Sequence, residues 1–182
     1  KKPFALMSVL ETSENIDYSV KNIDQVLGYS SFDLFFRNEF VGKVKVALNG
    51  VHNIQNCLLA IAMSHELGAS FEKIILGLKE FNGVGRRLEI LESKEDEGLI
   101  IDDYGHHPTE VESTIKTVNS LKKDKSLTVV FEPHRFSRTQ NCWNEFLNSF
   151  DLADRVYILP IYAAGEEPIS GITSSRLVED LR

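Results

Sequence analysis

Apolar positions in the first part of the chain repeat with the period of strands. Phe4–Leu10 is a near-continuous apolar run and predicts a buried strand; Tyr18-Ser19-Val20 predicts a short one. Ser31–Arg37 and Phe40–Leu48 flank Asn38-Glu39, and in the second run Val44 and Val46 alternate with Lys43 and Lys45. That alternation predicts a β-hairpin with one face in solvent. After the turn Asn49-Gly50 the period becomes helical. His52 to Leu67 is expected as a helix closed by Gly68, buried because Cys57 to Met63 is apolar on most sides. Ser70 caps the next helix, whose apolar face is Ile74, Ile75, Leu78 and Phe81. Asn82-Gly83-Val84-Gly85 interrupts the pattern, and a domain boundary is expected just after Arg86-Arg87, giving domains 1–87 and 88–182.

In the second domain strands and helices alternate. Leu88–Leu91 and the apolar run 98–101 predict strands around an acidic turn, the latter buried. Pro108 opens a helix running to about Lys122, and Lys122–Lys125 is expected as a solvated loop. Leu127–Phe131 is β-branched and apolar, the mark of a central parallel strand. A helix from Ser137 to Phe150, a strand at Arg155–Leu159 and a helix from Ser174 complete the series. The fold class expected is α/β, a hairpin with helices followed by a parallel, doubly wound sheet.

Composition narrows the function classes. At 182 residues, 42% hydrophobic and 26% charged, the chain is ordinary globular material. A net charge of -7 gives no general attraction to nucleic acid or to an anionic membrane, so any anionic ligand needs a local basic cluster. Cys57 and Cys142 each fall inside an expected helix, which suggests reduced thiols in a cytoplasmic protein. No apolar run has membrane-spanning length. The chain opens at Lys1 and stops inside a helical pattern, as a piece of a longer protein would. Its oligomeric state is left open.

Three stretches concentrate chemistry. Asp102-Asp103-Tyr104-Gly105-His106-His107 lies between a strand and a helix, where α/β sheets bind ligands and where helical amides face anions. An ordinary connection with Asp102 and Asp103 as solvated caps fits the same pattern. His106 and His107 lack partners at metal-ligand spacing, which argues against zinc. His52-Asn53-Ile54-Gln55-Asn56 puts two amides on one helical face, suited to the edge of a base; taken alone, plain capping by Asn53 is the better account. Glu132–Thr139 ends the central strand with Arg135 and Arg138 around a helix start that Ser137 can cap, an anion site or else two surface arginines. Arg86 and Arg87 past the hinge can meet a carboxylate one strand later, as a nucleotide contact or as an Arg–Asp pair joining strands. His65 reads as a satisfied, half-buried histidine; Trp143 and Phe146 read as core.

Gly50–Asn56, Gly83–Arg87, Asp102–Glu110, Pro133–Thr139 and Ile161–Glu166, in that order, resemble the Mur ligase family, and His134–Thr139 resembles its alanine-adding branch more than the muropeptide-recycling one. The resemblance implies the end of a central ATPase domain followed by much of a Rossmann-like C-terminal domain. The family's phosphate loop, Gly-Thr-His-Gly-Lys-Thr, does not occur in the chain. The implied chemistry is ATP- and Mg2+-dependent amide formation between UDP-N-acetylmuramate and L-alanine through an acyl phosphate, in peptidoglycan synthesis, with the metal ligands mostly outside this chain and none assigned within it. By motif position His52, Asn53 and Asn56 meet adenine, and Arg87 (or its neighbour Arg86) and Asp103 meet the nucleotide. Tyr104, His106, His134, Arg135 and Arg138 line the alanine and acyl-phosphate region, the last three as catalytic residues. The chain alone is expected to be inactive. The competing expectations are a recycling ligase and a non-catalytic ligand-binding module.

Overall fold

The computed structural model describes residues 7–8, 16–94, 98–122 and 124–181. Two compact units divide the chain, 1–103 and 104–182.

The first unit is built on a four-stranded sheet in the order β1 (Met7–Ser8), β2 (Tyr18–Val26), β3 (Tyr29–Phe36), β4 (Glu39–Val46). β1 runs parallel to β2 and the other pairings are antiparallel. The expected strand Phe4–Leu10 lies outside the described residues except at Met7–Ser8. β2 continues six residues past the expected Val20. The hairpin β3–β4 forms as predicted, with Val44 and Val46 buried and Lys43 and Lys45 exposed. Its loop is Arg37-Asn38, not Asn38-Glu39. Both residues are left-handed (φ 50° and 67°), the twist a two-residue hairpin loop requires.

Helix α1 (Val51–Glu66) packs Ile54, Cys57, Leu58, Ile61 and Ala62 onto Tyr18, Phe32, Leu34, Val44 and Val46. Gly68 closes it as expected. With φ 98° it donates to the His65 carbonyl while Ala69 donates to that of Ser64, a Schellman ending. The helix is not buried all round: Leu59 and Met63 are 46% and 58% exposed, because the sheet covers only one stripe of it. Helix α2 (Phe71–Glu80) lays Phe71, Ile74, Ile75 and Leu78 against the same core. It lies so close to β4 that a Cβ on Gly42 would meet Ile75 at 2.9 Å. His65 is satisfied as expected, bonded to the buried Tyr18 hydroxyl at 2.8 Å and stacked on Phe71. The unit ends in an antiparallel pair, β5 (Glu89–Lys94) and β6 (Gly98–Asp102). β6 is not the buried strand its composition suggested, since Ile100 is 55% exposed.

The second unit contains α3 (Pro108–Leu121), β7 (Thr128–Phe131), α4 (Phe136–Asn141), α5 (Trp143–Asn148), β8 (Arg155–Ile158) and α6 (Ser174–Asp180). β7 and β8 pair in parallel, as expected for this half. Phe131 and Val129 face the core with Val111, Ile115, Phe146, Phe150 and Leu177. Val130 points the other way and is 64% exposed, so β7 is covered on one face, not two. The single helix expected from Ser137 to Phe150 is two short ones, broken at Cys142 (φ -106°, ψ 21°). Lys122 is not merely solvated: its ammonium meets Asp154 at 2.7 Å, and Asp154 also accepts from the Leu127 amide. Both cysteines are free thiols, as expected. No helix among the described residues is long and apolar enough to cross a membrane.

Candidate functional site

In the first unit, the site residues are presented by the start of α1 and the end of β6. The buried Asn49 organises that start. Its Oδ1 accepts from the Gly28 amide at 2.7 Å and its Nδ2 donates to the Val26 and Tyr29 carbonyls at 2.8 and 3.0 Å. Gly50 then turns into the helix at φ 94°, ψ 142°, a region open to glycine, and its carbonyl accepts from the Asn53 and Ile54 amides. Asn53 Nδ2 donates back to the Asn49 carbonyl at 2.8 Å. Its amide nitrogen therefore braces the turn, as capping would, while Asn56 one turn later is exposed. His52 is half-buried. Burial lowers its pKa from 6.5, the Arg87 charge lowers it further, and the Asp103 charge opposes both. His52, Arg87 and Asp103 thus share one electrostatic neighbourhood.

Arg87 stands between two left-handed residues, Arg86 (φ 56°) and Leu88 (φ 50°). Such backbone is unfavourable for non-glycine residues and persists only where its surroundings hold it. Here the Arg86 amide donates to Glu89 Oε2 at 2.6 Å and the Leu88 amide to Asp103 Oδ2 at 2.9 Å. Arg86 Nε meets Asp102 at 2.9 Å, the Arg–Asp pair that the sequence left as one alternative. Neither strain nor clamp was legible in the sequence, which places glycines, not Arg86 and Leu88, where positive φ is expected.

In the second unit, the loop 104–107 folds onto the start of α3. His107 is the N-cap, Pro108 the first helical residue, and Glu110 closes a capping box. Glu110 Oε2 accepts from the His106 and His107 amides, both at 3.1 Å. Glu110 thus takes, from within the chain, the two amides just ahead of the helix. His107 Nε2 lies 3.8 Å from Cys142 Sγ at the α4–α5 break. His106 turns back, Nδ1 to the Tyr104 carbonyl at 3.0 Å, and its ring stands edge-on to Tyr104 at 5.1 Å.

From there a row of rings continues: His106 to His134 at 5.8 Å, and His134 to Tyr162 at 5.2 Å. Arg138 Nη1 donates to the His134 carbonyl at 3.1 Å and lies 3.4 Å from its Nδ1. Burial, then Arg138, His106 and Arg135, hold the His134 pKa below 6.5 against the opposing charge of Glu132. The imidazole is neutral at neutral pH. The unfolded chain takes up this proton more readily, so the folded state loses stability as pH falls below 6.5. His134→Gln is expected to flatten the acid side of a stability–pH curve below pH 6.5, by less than the one-proton slope of about 1.4 kcal/mol per pH unit. Parallel curves for the two proteins in chemical denaturation would contradict it.

Ser137 is not the cap of α4. Arg135 is, in a left-handed conformation (φ 75°), and Ser137 sits inside the first turn. The Ser137 amide and hydroxyl both donate to Glu166, at 2.9 and 2.6 Å. Two guanidiniums stand at this turn, yet Glu166 already takes the Ser137 amide there. Tyr162 and Glu166 went unassigned in the sequence because they reach the cluster from a loop about 30 residues downstream. The only signal was their place in the run Ile161–Glu166, one of the stretches that carry the resemblance. Among the described residues no three of His, Cys, Asp and Glu gather as a metal site.

Comparison with known proteins matches residues 86–182 to the family "Mur ligase, glutamate ligase domain". A UDP-N-acetylmuramate–L-alanine ligase of Endomicrobium trichonymphae is 42% identical over 167 residues, 92% of this chain and 37% of that protein. A protein of the same name from Dictyoglomus turgidum is 42% identical over 168 residues, 92% of this chain and 36% of that one. This chain thus spans somewhat over a third of the length of the curated relatives it matches. The crystal structure of a UDP-N-acetylmuramate-alanine ligase, MurC, from Thermotoga maritima superposes with a TM-score of 0.72 at 23% identity, over 91% of this chain and 35% of that one, and so shares the fold. With one family matched from residue 86 to the last, and relatives bearing that family's chemistry in their names along nine-tenths of the sequence, this chain belongs to the Mur ligase family.

Proposed function

We propose that this chain is the later part of an ATP-dependent ligase that joins L-alanine to UDP-N-acetylmuramate in peptidoglycan synthesis, in the cytoplasm. We take 1–87 as the end of its central ATP-binding domain and 88–182 as much of its C-terminal ligase domain, which the match beginning at residue 86 supports. The observation that carries the reading is the cluster in which the Arg138 guanidinium lies 3.1 Å from the His134 carbonyl and 3.4 Å from its Nδ1, with the His106 and Tyr162 rings against the same imidazole.

ATP, when bound, supplies the phosphoryl group that converts the sugar carboxylate to an acyl phosphate. His52, half-buried and neutral, offers a flat face, and the exposed Asn56 amide a donor and an acceptor, a set that fits the edge of adenine. Arg87 and Asp103 supply charge next to His52 for the rest of the nucleotide. Mg2+, when bound, would be held mostly by ligands outside this chain. Arg135 and Arg138 hold the alanine carboxylate and counter the charge that grows on the acyl-phosphate oxygens. Tyr104 and His106 wall the pocket for the small amine. The alanine nitrogen attacks the acyl carbon, phosphate leaves with the carbon–oxygen bond pair, and the nitrogen gives up a proton. His134 can accept that proton because its neighbours keep it neutral.

Phosphate release by the full-length protein with Mg-ATP and UDP-N-acetylmuramate tests the reading. Release that depends on L-alanine supports it. Release only with a peptide amine assigns the chain to the recycling branch, and release with neither leaves a non-catalytic binding module. In the same assay Asn56→Ala is expected to raise the KM for ATP by about three- to tenfold, the worth of one hydrogen bond, with kcat retained. A wild-type KM would remove Asn56 from the nucleotide site.

A further inference from the structure

We propose that Glu166 is a positioning residue of the amine-side cluster: by clamping Ser137 it fixes Arg135, Arg138 and His134 in the geometry that receives a small amino acid. The proposal rests on the ligase function given above.

Four hydrogen bonds lace the loop 161–166 onto the segment 133–137. The Tyr162 amide donates to the Pro133 carbonyl and the Arg135 amide to the Tyr162 carbonyl, both at 2.8 Å. The other two run from the Ser137 amide and hydroxyl to the two oxygens of Glu166. A turn with Ala164 at φ 51° and Gly165 at φ 85°, closed by the Glu166 amide on the Ala163 carbonyl, brings the carboxylate back to Ser137. These bonds, with the nearby Arg135 charge, hold the Glu166 carboxyl below its ordinary range, so it stays ionised and accepts on both oxygens.

The clamp matters because of what it grips. α4 is six residues long and cannot hold its own geometry. Ser137 lies between Arg135, whose left-handed backbone needs support, and Arg138, which faces His134. Any shift of this turn moves both guanidiniums relative to the His134 ring. Glu166 thus acts through Ser137 and does not itself touch substrate.

The test uses the full-length protein and compares wild type with Glu166→Ala, Glu166→Gln and Ser137→Ala. Glu166→Ala is expected to raise the KM for alanine about tenfold or more, the scale of a lost charge-assisted pair of hydrogen bonds, with the KM for ATP unchanged. Glu166→Gln, which keeps one acceptor for the Ser137 amide, regains most of that loss. In hydrogen exchange, Glu166→Ala opens the Arg135 and Tyr162 amides while the Leu159 amide, bonded to Phe131, stays protected. A wild-type alanine KM in Glu166→Ala, or undiminished protection of Arg135 and Tyr162, overturns the proposal. Should wild type show no alanine-dependent release, the ligase function fails by itself, and the exchange comparison still decides the clamp. Should Glu166→Ala also expose Leu159, Ser137→Ala decides: a raised alanine KM supports the clamp, a wild-type one overturns it.

Discussion

Arg138→Ala in the full-length protein is expected to lower kcat/KM for alanine by about 10²–10³-fold, the cost of removing a positioned cation from a developing anion, while the fold survives. The side chain contributes twice. Its guanidinium lies at the His134 carbonyl and Nδ1 and supplies positive charge beside Arg135. It also lowers the His134 pKa, so its loss lets that pKa rise. The acid limb of the pH–rate profile is therefore expected to move to higher pH in Arg138→Ala, which loss of a binding contact alone would not cause. Arg138→Lys keeps a charge but not the planar fork, and is expected to fall between the two. Fold damage should be slight, because Arg138 is half-exposed. Wild-type kinetics at subsaturating alanine would take Arg138 out of the site.

Phe146→Ala should have the largest effect on stability. Phe146 is 1% exposed and its ring lies 5.4 Å from Phe131 in the core beneath the Arg138 cluster. Emptying such a site costs about 3–5 kcal/mol, transfer and cavity together. The six residues of α5 are too few to hold a helix without this anchor. Denaturant unfolding followed by a probe in the second unit should therefore shift to much lower denaturant. A loss below about 1 kcal/mol would show that the site collapses around the smaller side chain. Phe40 is the internal control. It is 60% exposed and meets Phe35 edge-on, so Phe40→Ala is expected to cost well under 1 kcal/mol, about what one exposed aromatic contact is worth.

How far the site could be read from the sequence differs between its two parts. The residues at the ends of strands and starts of helices were legible because those positions follow from local pattern: Pro108 begins α3, and Gly50 begins α1, as their chemistry demands. What occupies the open amides was not legible. Glu166 takes the Ser137 amide, which sequence reasoning left for a ligand, and it arrives from 29 residues beyond Ser137. Local patterns carry no information about partners at that separation. The split of the helix at Cys142 and the one-sided covering of β7 escaped for the same reason, since apolar composition alone does not say how many faces are covered.

By itself the sequence determined the order and type of most of the described elements, the β3–β4 hairpin with its solvated lysines, the ending of α1 at Gly68 and the motif series that marks the family. Each depends on spacing within a few residues, where backbone geometry and side-chain period leave little choice. Only the tertiary structure decided that Arg86, Leu88 and Arg135 take left-handed backbone, that His134 stays neutral, and that Glu166 meets Ser137. Those outcomes depend on charges and hydrogen-bond partners from distant segments. Burial brings these together in space, where they can offset the cost of strain and desolvation that no local pattern would accept.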